Sequence, residues 1–218
     1  IYFYQAGERV WIDALYHAAI SLGLDQFPGF GIGPEAHGVV PTPEWERAHV
    51  QGADGQHWGT GDVRNTAIGQ GYVLTSPAQM ARMVGAAAMG GIRMKPLLIE
   101  KVEAADGTVL ERGETQVQVN LGMKVEDVET MRRAMRAVVQ SGTARRAMVE
   151  GLDVGGKTGT AQNPQGDDHA WFICAAPLGA PRFACCALVE HAGHGGTAAA
   201  PIAQYVLERY ARREGWIP

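Results

Sequence analysis

Residues 157–160, Lys-Thr-Gly-Thr, constrain the fold of this chain more than any other segment, because two different structures fit the same letters. Together with residues 151–156 they satisfy the phosphate-loop pattern G-x-x-x-x-G-K-[ST]. That pattern requires a buried strand before Gly151 and a helix that opens at Lys157, so that backbone amides point at a phosphate. The alternative is a β-strand whose side chains face a cleft.

The neighbouring residues favour the strand. Residues 143–148, Thr-Ala-Arg-Arg-Ala-Met, have the polar character of a helical turn and not of a buried strand. Gly159 would fall in the first turn of the required helix, and the Asn-Pro pair at 163–164 indicates a strand that runs out into a turn. We therefore predict a strand from Val154 to Thr160 and no nucleotide-binding loop.

A strand of this sequence offers the groups that acyl transfer needs. Lys157 supplies positive charge for a substrate carboxylate and can exchange protons with a neighbouring hydroxyl. Thr158 and Thr160 point to one face of a strand, so both hydroxyls can meet one bound peptide. Gly159 lets a peptide backbone approach the sheet edge closely. The backbone N–H of Thr160 is a candidate donor to a developing oxyanion.

Several ordered segments of the chain resemble one known family. They are Tyr-Phe-Tyr-Gln at 2–5, Gly-Gln-Gly-Tyr at 69–72, Thr-Ser-Pro-Ala-Gln-Met at 75–80, Lys-Thr-Gly-Thr-Ala-Gln at 157–162, Asp-His-Ala-Trp-Phe at 168–172 and Glu-His-Ala-Gly-His-Gly at 190–195. In order and content they resemble the transpeptidase domain of class B penicillin-binding proteins, most closely those devoted to cell elongation. The resemblance implies an α/β fold of the penicillin-binding protein/β-lactamase type, with an antiparallel sheet sandwiched by helices. This chain would supply about three strands and most of the flanking helices.

The serine motifs of that family do not occur in this sequence. The family uses a Ser-x-x-Lys nucleophile and a Ser-x-Asn or Ser-x-Asp motif, whereas the only serines here are Ser21, Ser76 and Ser141, none with Lys three residues later. We expect residues 1–218 to be the C-terminal part of a single transpeptidase domain, with Ile1 just past the position of the second motif. On that expectation the missing N-terminal part is a partner, and the fragment alone is inactive.

The resemblance implies a peptidoglycan D,D-transpeptidase that cross-links stem peptides through a serine acyl-enzyme and binds β-lactam antibiotics covalently. Lys157 and Thr160 would then be catalytic, and Thr158 and Gly159 would bind substrate. Trp171, at the start of the neighbouring strand, would either line the cleft as a further substrate-binding residue or pack into the core. No metal or organic cofactor is implied.

The resemblance to elongation-type proteins also implies a partner and a location in the cell. The implied partner is a SEDS-family glycan polymerase in the membrane. It places the protein at the extracytoplasmic face of the bacterial cytoplasmic membrane, in the periplasm, anchored by an N-terminal helix absent from this chain. No run in the sequence approaches the roughly 20 apolar residues of a spanning helix. A net charge of −4 and a pI of about 6.0 argue against nucleic acid as a partner.

Two alternative functions stay open. A β-lactam sensor or serine β-lactamase shares the Lys-Thr-Gly strand, although residues 27–71 and a surface hairpin near Asp106 and Gly107 argue against it. A β-lactamase would release a bound drug quickly, whereas a transpeptidase would hold it. The second alternative is a non-catalytic scaffold for cell-wall or divisome partners.

The cysteines and histidines give no metal pattern. Cys174, Cys185 and Cys186 are too few and too clustered for a disulfide framework. Counting back from the intervening turn puts Cys174 opposite Cys185, and we expect buried thiols. The glycines around His191 and His194 indicate a loop without the helical scaffold of a zinc motif.

Hydrophobic spacing and breaker residues predict the remaining elements. The first is a helix from Tyr2 to Gly23, and an irregular region from Phe27 to Gly71 follows that contains His37, Trp45, His57 and Trp58. Next come a helix capped by Ser76 and ending at Gly90, a hairpin over 96–112, and a helix whose core-facing residues are Val125, Val128, Met131, Met135, Val138 and Val139. The last elements are strands at Ala170 to Ala176 and Arg182 to Glu190 and a helix from Thr197 to Arg212.

Overall fold

The first part of the chain is helical. The computed structural model describes residues 1–50 and 58–218. Helix α1 spans Tyr2–Ser21, as predicted, and bends at Trp11, where φ is 61° and ψ is 172°. Helix α3, Thr60–Ala67, packs along α1 at Gly7, because any larger residue there would collide with the Ala67 side chain.

The region from Phe27 to Gly71 contains more regular structure than the sequence predicted. It holds α3 and the short helix α2, Pro43–His49. These helices are too short for a clear apolar period, and local caps define their starts. The Thr42 hydroxyl accepts from the Trp45 N–H at 3.2 Å, and the Asp62 carboxylate accepts from the Gly59 N–H at 3.0 Å. His57, which was expected in this region, lies outside the described residues.

Helix α4, Pro77–Ala88, begins as the sequence predicted, with Ser76 as N-cap and Gln79 completing a capping box. Gln79 also bonds to distant segments of the chain, which its position in the cap did not predict. Its side chain is fully buried and donates to the carbonyls of Gln26 at 2.8 Å and His37 at 2.7 Å. This amide therefore fastens the segment before α2 to the start of α4.

Two small sheets follow α4. Strand β2, Lys101–Glu103, pairs antiparallel with β3, Val109–Arg112, which confirms the predicted hairpin. Strand β1, Ile92–Met94, pairs antiparallel with β4, Val117–Asn120, and the sequence did not predict this pair. Strands of three and four residues are too short to show an alternating pattern.

The main sheet has three antiparallel strands in the order β5-β6-β7, which are Gly155–Ala161, His169–Ala176 and Phe183–Val189. Each lies within about one residue of the predicted bounds. Because residue 157 lies in the middle of β5 and no helix opens there, the phosphate-loop interpretation is excluded.

Helices cover both faces of this sheet, which confirms the predicted α/β sandwich. On one face, Phe172 and Cys174 pack against α6, Ala199–Arg213, whose inner side is lined by buried alanines and Leu207. On the other face, Ala88 at the end of α4 packs against Ala175 and Leu178. Small side chains on α6 allow the helix to approach the sheet closely.

Helix α5, Val125–Gln140, flanks β5. Val128 and Val139 are buried as expected, but the placement of Val125 in the core was wrong, since it is 75% exposed. Val125 is the first residue of the helix and lies beyond the part that contacts the sheet.

Arg136 on α5 pairs with Asp153 just before β5 through two hydrogen bonds, of 2.6 Å and 2.7 Å. Hydrogen bonding from Arg136 lowers the pKa of Asp153. The folded-state pKa thus lies below the unfolded value of about 3.9, so the pair stabilises the fold above that pH and loses its effect as pH falls further.

We expect Asp153→Asn to lower the free energy of unfolding by about 1 kcal/mol at pH 7, since the pair is partly exposed. Urea denaturation of the full-length protein at several pH values would measure it. The difference from wild type should stay constant above about pH 5 and shrink below about pH 4. Asp167→Asn, on an exposed loop, is the matched control. A difference that grew on acidification would contradict this role for Asp153.

The three cysteines are free thiols. Cys174 lies directly opposite Cys185 in the register of β6 and β7, as predicted. Only Cys174 is fully buried, whereas Cys185 and Cys186 are partly exposed, so the expectation of burial holds for one of them. Burial raises the pKa of Cys186 to about 12. No helix in the described part of the chain has the length and hydropathy needed to cross a membrane.

Candidate active site

The glycines before Lys157 are required by packing. A Cβ on Gly155 would collide with the Leu178 side chain, and a Cβ on Gly156 would lie 2.6 Å from the Phe172 ring. These contacts explain a Gly-Gly-Lys sequence without any phosphate. Lys157 follows as the first exposed residue of β5, so the strand passes from the core to the surface at this position.

The edge of β5 that faces away from β6 presents backbone groups. The Lys157 ammonium donates to the Thr158 carbonyl at 2.5 Å, and the Gln70 side-chain amide donates to the Thr160 carbonyl at 3.1 Å. In an antiparallel ladder the N–H and C=O of one residue point to the same side. The N–H groups of Thr158 and Thr160 therefore also point to this edge, and no side chain in residues 1–50 and 58–218 accepts from the Thr160 N–H.

A second hydroxyl meets the strand at Thr158. The Thr143 and Thr158 side-chain oxygens lie 2.8 Å apart. When Thr143 donates, the Thr158 proton remains available for a bound anion. Sequence reasoning did not select Thr143 or Gln70, because both reach β5 from other parts of the chain. The Gly-Gln-Gly-Tyr segment at 69–72 was the available signal for Gln70.

A glycine-rich turn before α6 lies against the same strand. A Cβ on Gly195 would collide with the Trp171 carbonyl and lie 2.6 Å from the Gly159 carbonyl. A Cβ on Gly196 would collide with the Thr143 carbonyl and lie 3.6 Å from the Thr158 methyl group. The turn thus holds Thr143 and Thr158 together from one side.

Trp171 lies beside Gly159 across the β5-β6 pair. A Cβ on Gly159 would lie 3.1 Å from the Trp171 Cβ, so both residues project to the same face of the sheet. Trp171 is partly exposed. All five residues selected from the sequence therefore lie together, Lys157, Thr158, Gly159 and Thr160 on β5 and Trp171 on its neighbour.

The histidines near this strand link two loops. The His191 N–H donates to His169 Nδ1 at 3.0 Å, and the Asn163 amide lies 3.1 Å from His191 Nδ1. These contacts tie the β5-β6 loop to the turn after β7. Within residues 1–50 and 58–218, no group of three His, Cys, Asp or Glu side chains is arranged to hold a metal ion.

The serines of the chain have structural roles where their contacts are described. The Ser76 hydroxyl accepts from the Gln79 N–H at 3.2 Å, and the Ser141 hydroxyl lies 3.4 Å from the Ala137 carbonyl. A depression of about 610 Å³ along β7 is lined mainly by apolar side chains of β7 and α6 and contains none of the candidate residues. The candidate residues therefore lie at the β5 edge and not in this depression.

Comparison with known proteins places this arrangement in a family. The penicillin binding protein transpeptidase domain family matches residues 1–208. The chain belongs to this family. Among curated relatives, the peptidoglycan D,D-transpeptidase MrdA of Haemophilus influenzae is 32% identical over 96% of this chain, and the peptidoglycan D,D-transpeptidase PbpA of Mycobacterium tuberculosis is 31% identical over 94%. The relatives are class B, elongation-type proteins, as the sequence suggested.

Solved structures share the fold. Penicillin-binding protein A from M. tuberculosis, in its imipenem acyl-enzyme complex, has a TM-score of 0.81 at 26% identity and covers 95% of this chain. PBP2 of Pseudomonas aeruginosa in complex with WCK 5153 has a TM-score of 0.80 at 28% identity and covers 96%. The chain spans 44% of each of these two structures and about a third of the length of MrdA.

Proposed function

We propose that this chain supplies the Lys-Thr-Gly-Thr strand of a peptidoglycan D,D-transpeptidase. The enzyme cross-links stem peptides through a serine acyl-enzyme and reacts covalently with β-lactams, and its nucleophilic Ser lies outside these 218 residues. The observation that carries the proposal is that β5 is an edge strand of the described sheet, where Lys157 is exposed and the backbone N–H of Thr160 points outward.

Lys157 acts as the cationic group of the site. Within residues 1–50 and 58–218 its ammonium bonds only to the adjacent Thr158 carbonyl, so a short side-chain rotation can move it to another acceptor. That acceptor would be the hydroxyl of the second serine motif or the carboxylate of a terminal D-Ala. The Thr158 hydroxyl, backed by Thr143, and the Thr160 hydroxyl would bind the same carboxylate or the peptide beside it.

The Thr160 N–H serves as an oxyanion donor. A donor of this kind, fixed in a strand, needs no reorganisation when the tetrahedral intermediate forms, and removal of one such donor typically costs about 3 kcal/mol of transition-state stabilisation. Gly159 and the outward backbone of Thr158 allow a peptide to add along β5 as a further strand. Trp171, on the same face as Gly159, would contact that peptide.

Family membership supports the remaining assignments. The other strands and the Ser-x-x-Lys motif would come from the N-terminal part of the same domain. The intact protein would work at the extracytoplasmic face of the membrane, and a SEDS-family glycan polymerase would be its partner there. Two of the matched structures support the β-lactam chemistry, since they are named as acyl-enzyme complexes with imipenem and ceftriaxone.

Fluorescent penicillin applied to the full-length protein tests the proposal. We expect covalent labelling that survives denaturation and persists for hours after excess unlabelled drug is added. Release within minutes would favour a β-lactamase. Absence of labelling on full-length protein that circular dichroism shows to be folded would favour the non-catalytic scaffold.

A further inference from the structure

Two of the three cysteines face each other across the hairpin of β6 and β7. Cys174 and Cys185 are register partners, and both side chains lie on the face of the sheet that packs against α6. Cys174 is fully buried there, whereas Cys185 is partly exposed. Cys186 is the next residue of β7, so its side chain projects to the opposite face of the sheet. The pairing of the strands therefore brings one specific pair of thiols together and directs the third away from it.

The backbone pattern sets the spacing between the two cysteines. The Thr160 carbonyl points away from β6, because it accepts from Gln70 at the outer edge of β5. The backbone groups of a strand alternate in direction with a period of two residues, so those of Gly156 also point outward. Its register partner Cys174 therefore directs its backbone groups to β7 and exchanges two hydrogen bonds with Cys185. Residues in such a pair have Cα atoms about 5.5 Å apart, a common Cα separation of disulfide-bonded cysteines.

The thiols of the chain differ in reactivity. Hydrogen bonding from the Cys174 thiol lowers the pKa of Cys185, so Cys185 more readily supplies the attacking thiolate that disulfide exchange requires. Burial raises the pKa of Cys186 to about 12, which keeps that thiol protonated and unreactive. Cys185 also lines the depression of about 610 Å³ along β7, through which an oxidant can reach it.

We propose that Cys174 and Cys185 are a dithiol that a disulfide-type oxidant converts into a cross-strand disulfide. The Cys185 thiolate attacks one sulfur of the oxidant disulfide and displaces one thiolate, which leaves a mixed disulfide on Cys185. Cys174 then loses its proton and attacks the Cys185 sulfur, which displaces the second thiolate. The dithiol loses two electrons and two protons, and the oxidant disulfide gains them as two thiols. The extracytoplasmic location proposed above would supply an oxidising environment.

The disulfide would fix a row of residues next to the candidate site. Gly156, Cys174 and Cys185 lie in register across the three strands, and Gly156 precedes Lys157 on β5. A bond in this row restricts the unfolded chain and holds β7 against β6. We therefore expect oxidation to raise the Tm by about 4 °C. The rate of penicillin acylation at room temperature should stay within about twofold of the reduced protein, since none of the candidate residues changes.

Peptide mapping of the full-length protein tests the connectivity. The protein is brought to equilibrium in buffers of reduced and oxidised glutathione, from the reduced and from the oxidised side, and is then alkylated. Trypsin leaves Cys174 in the peptide 158–182 and the other two cysteines in the peptide 183–209. We expect mass spectrometry to find these peptides joined in wild type and in the matched control Cys186→Ala, and separate in Cys185→Ala. Dithiothreitol should separate them and return the Tm to the value of the reduced protein.

Three results would overturn the proposal. The first is free thiols at Cys174 and Cys185 in the most oxidising buffer. The second is a link that persists in Cys185→Ala, because the partner of Cys174 would then be Cys186. The third is a link that a non-reducing gel shows to join two molecules. None of these readouts uses penicillin, so a protein that forms the disulfide but is not labelled by penicillin would refute the proposed function and leave the dithiol in place.

Discussion

Replacing Lys157 with alanine is expected to lower the rate of penicillin acylation of the full-length protein at least about 100-fold, the lower end of the range for general acid-base groups. Lys157 is exposed and, in the part of the chain that the structure describes, bonds only to the neighbouring Thr158 carbonyl, so its removal leaves no buried partner unsatisfied there. The free energy of unfolding should therefore change by no more than about 0.5 kcal/mol. Loss of reactivity without loss of stability is the result that assigns Lys157 to the chemistry.

Stopped-flow acylation and urea denaturation measure the two quantities on the same samples. Lys101→Ala is the matched control, because Lys101 is also exposed on a strand and pairs with Glu103 in the same strand. Both quantities should stay at wild-type values in that variant. Wild-type acylation by Lys157→Ala would remove Lys157 from the site, and equal losses in both lysine variants would point to a general effect of surface charge.

Local patterns predicted the parts of this molecule that depend on neighbouring residues. The capping box at Ser76 and Gln79 set the start of α4, and short turns between apolar runs set β5, β6 and β7. The five candidate residues could be placed together from the sequence because four are consecutive on one strand and the fifth lies on the next. The alternation of side chains along a strand and the residue preferences of turns act over a few residues, so a sequence pattern can predict structure only over that distance.

The parts that were missed depend on contacts between distant segments. Gln70 and Thr143 reach β5 from 90 and 15 residues away, and no local pattern shows where such side chains end. Gln79 was identified as a cap, yet its burial and its bonds to two distant carbonyls appear only in the folded chain. At Val125 the apolar period was read correctly, but the helix begins before it reaches the sheet.

Gly195→Ala is expected to lower the free energy of unfolding more than Asp153→Asn or Lys157→Ala. The added methyl group would collide with the Trp171 carbonyl and lie 2.6 Å from the Gly159 carbonyl. Both obstacles are backbone atoms in the paired strands β5 and β6, so neither can rotate away as a side chain would. The turn before α6 must move away from the sheet, which should lower the free energy of unfolding by about 3 kcal/mol, the upper part of the range for overpacked sites.

The same displacement should reach the candidate site, because Gly196 lies beside Thr158 and Thr143. We therefore expect Gly195→Ala to slow acylation by penicillin in the molecules that remain folded, in addition to lowering the free energy of unfolding measured by urea denaturation. Gly179→Ala is the control, since a Cβ there meets no atom of the described residues within 4 Å and its backbone is not in the left-handed region. A stable Gly195→Ala protein with wild-type acylation would show that this turn can move freely without disturbing β5, and would remove it from the support of the site.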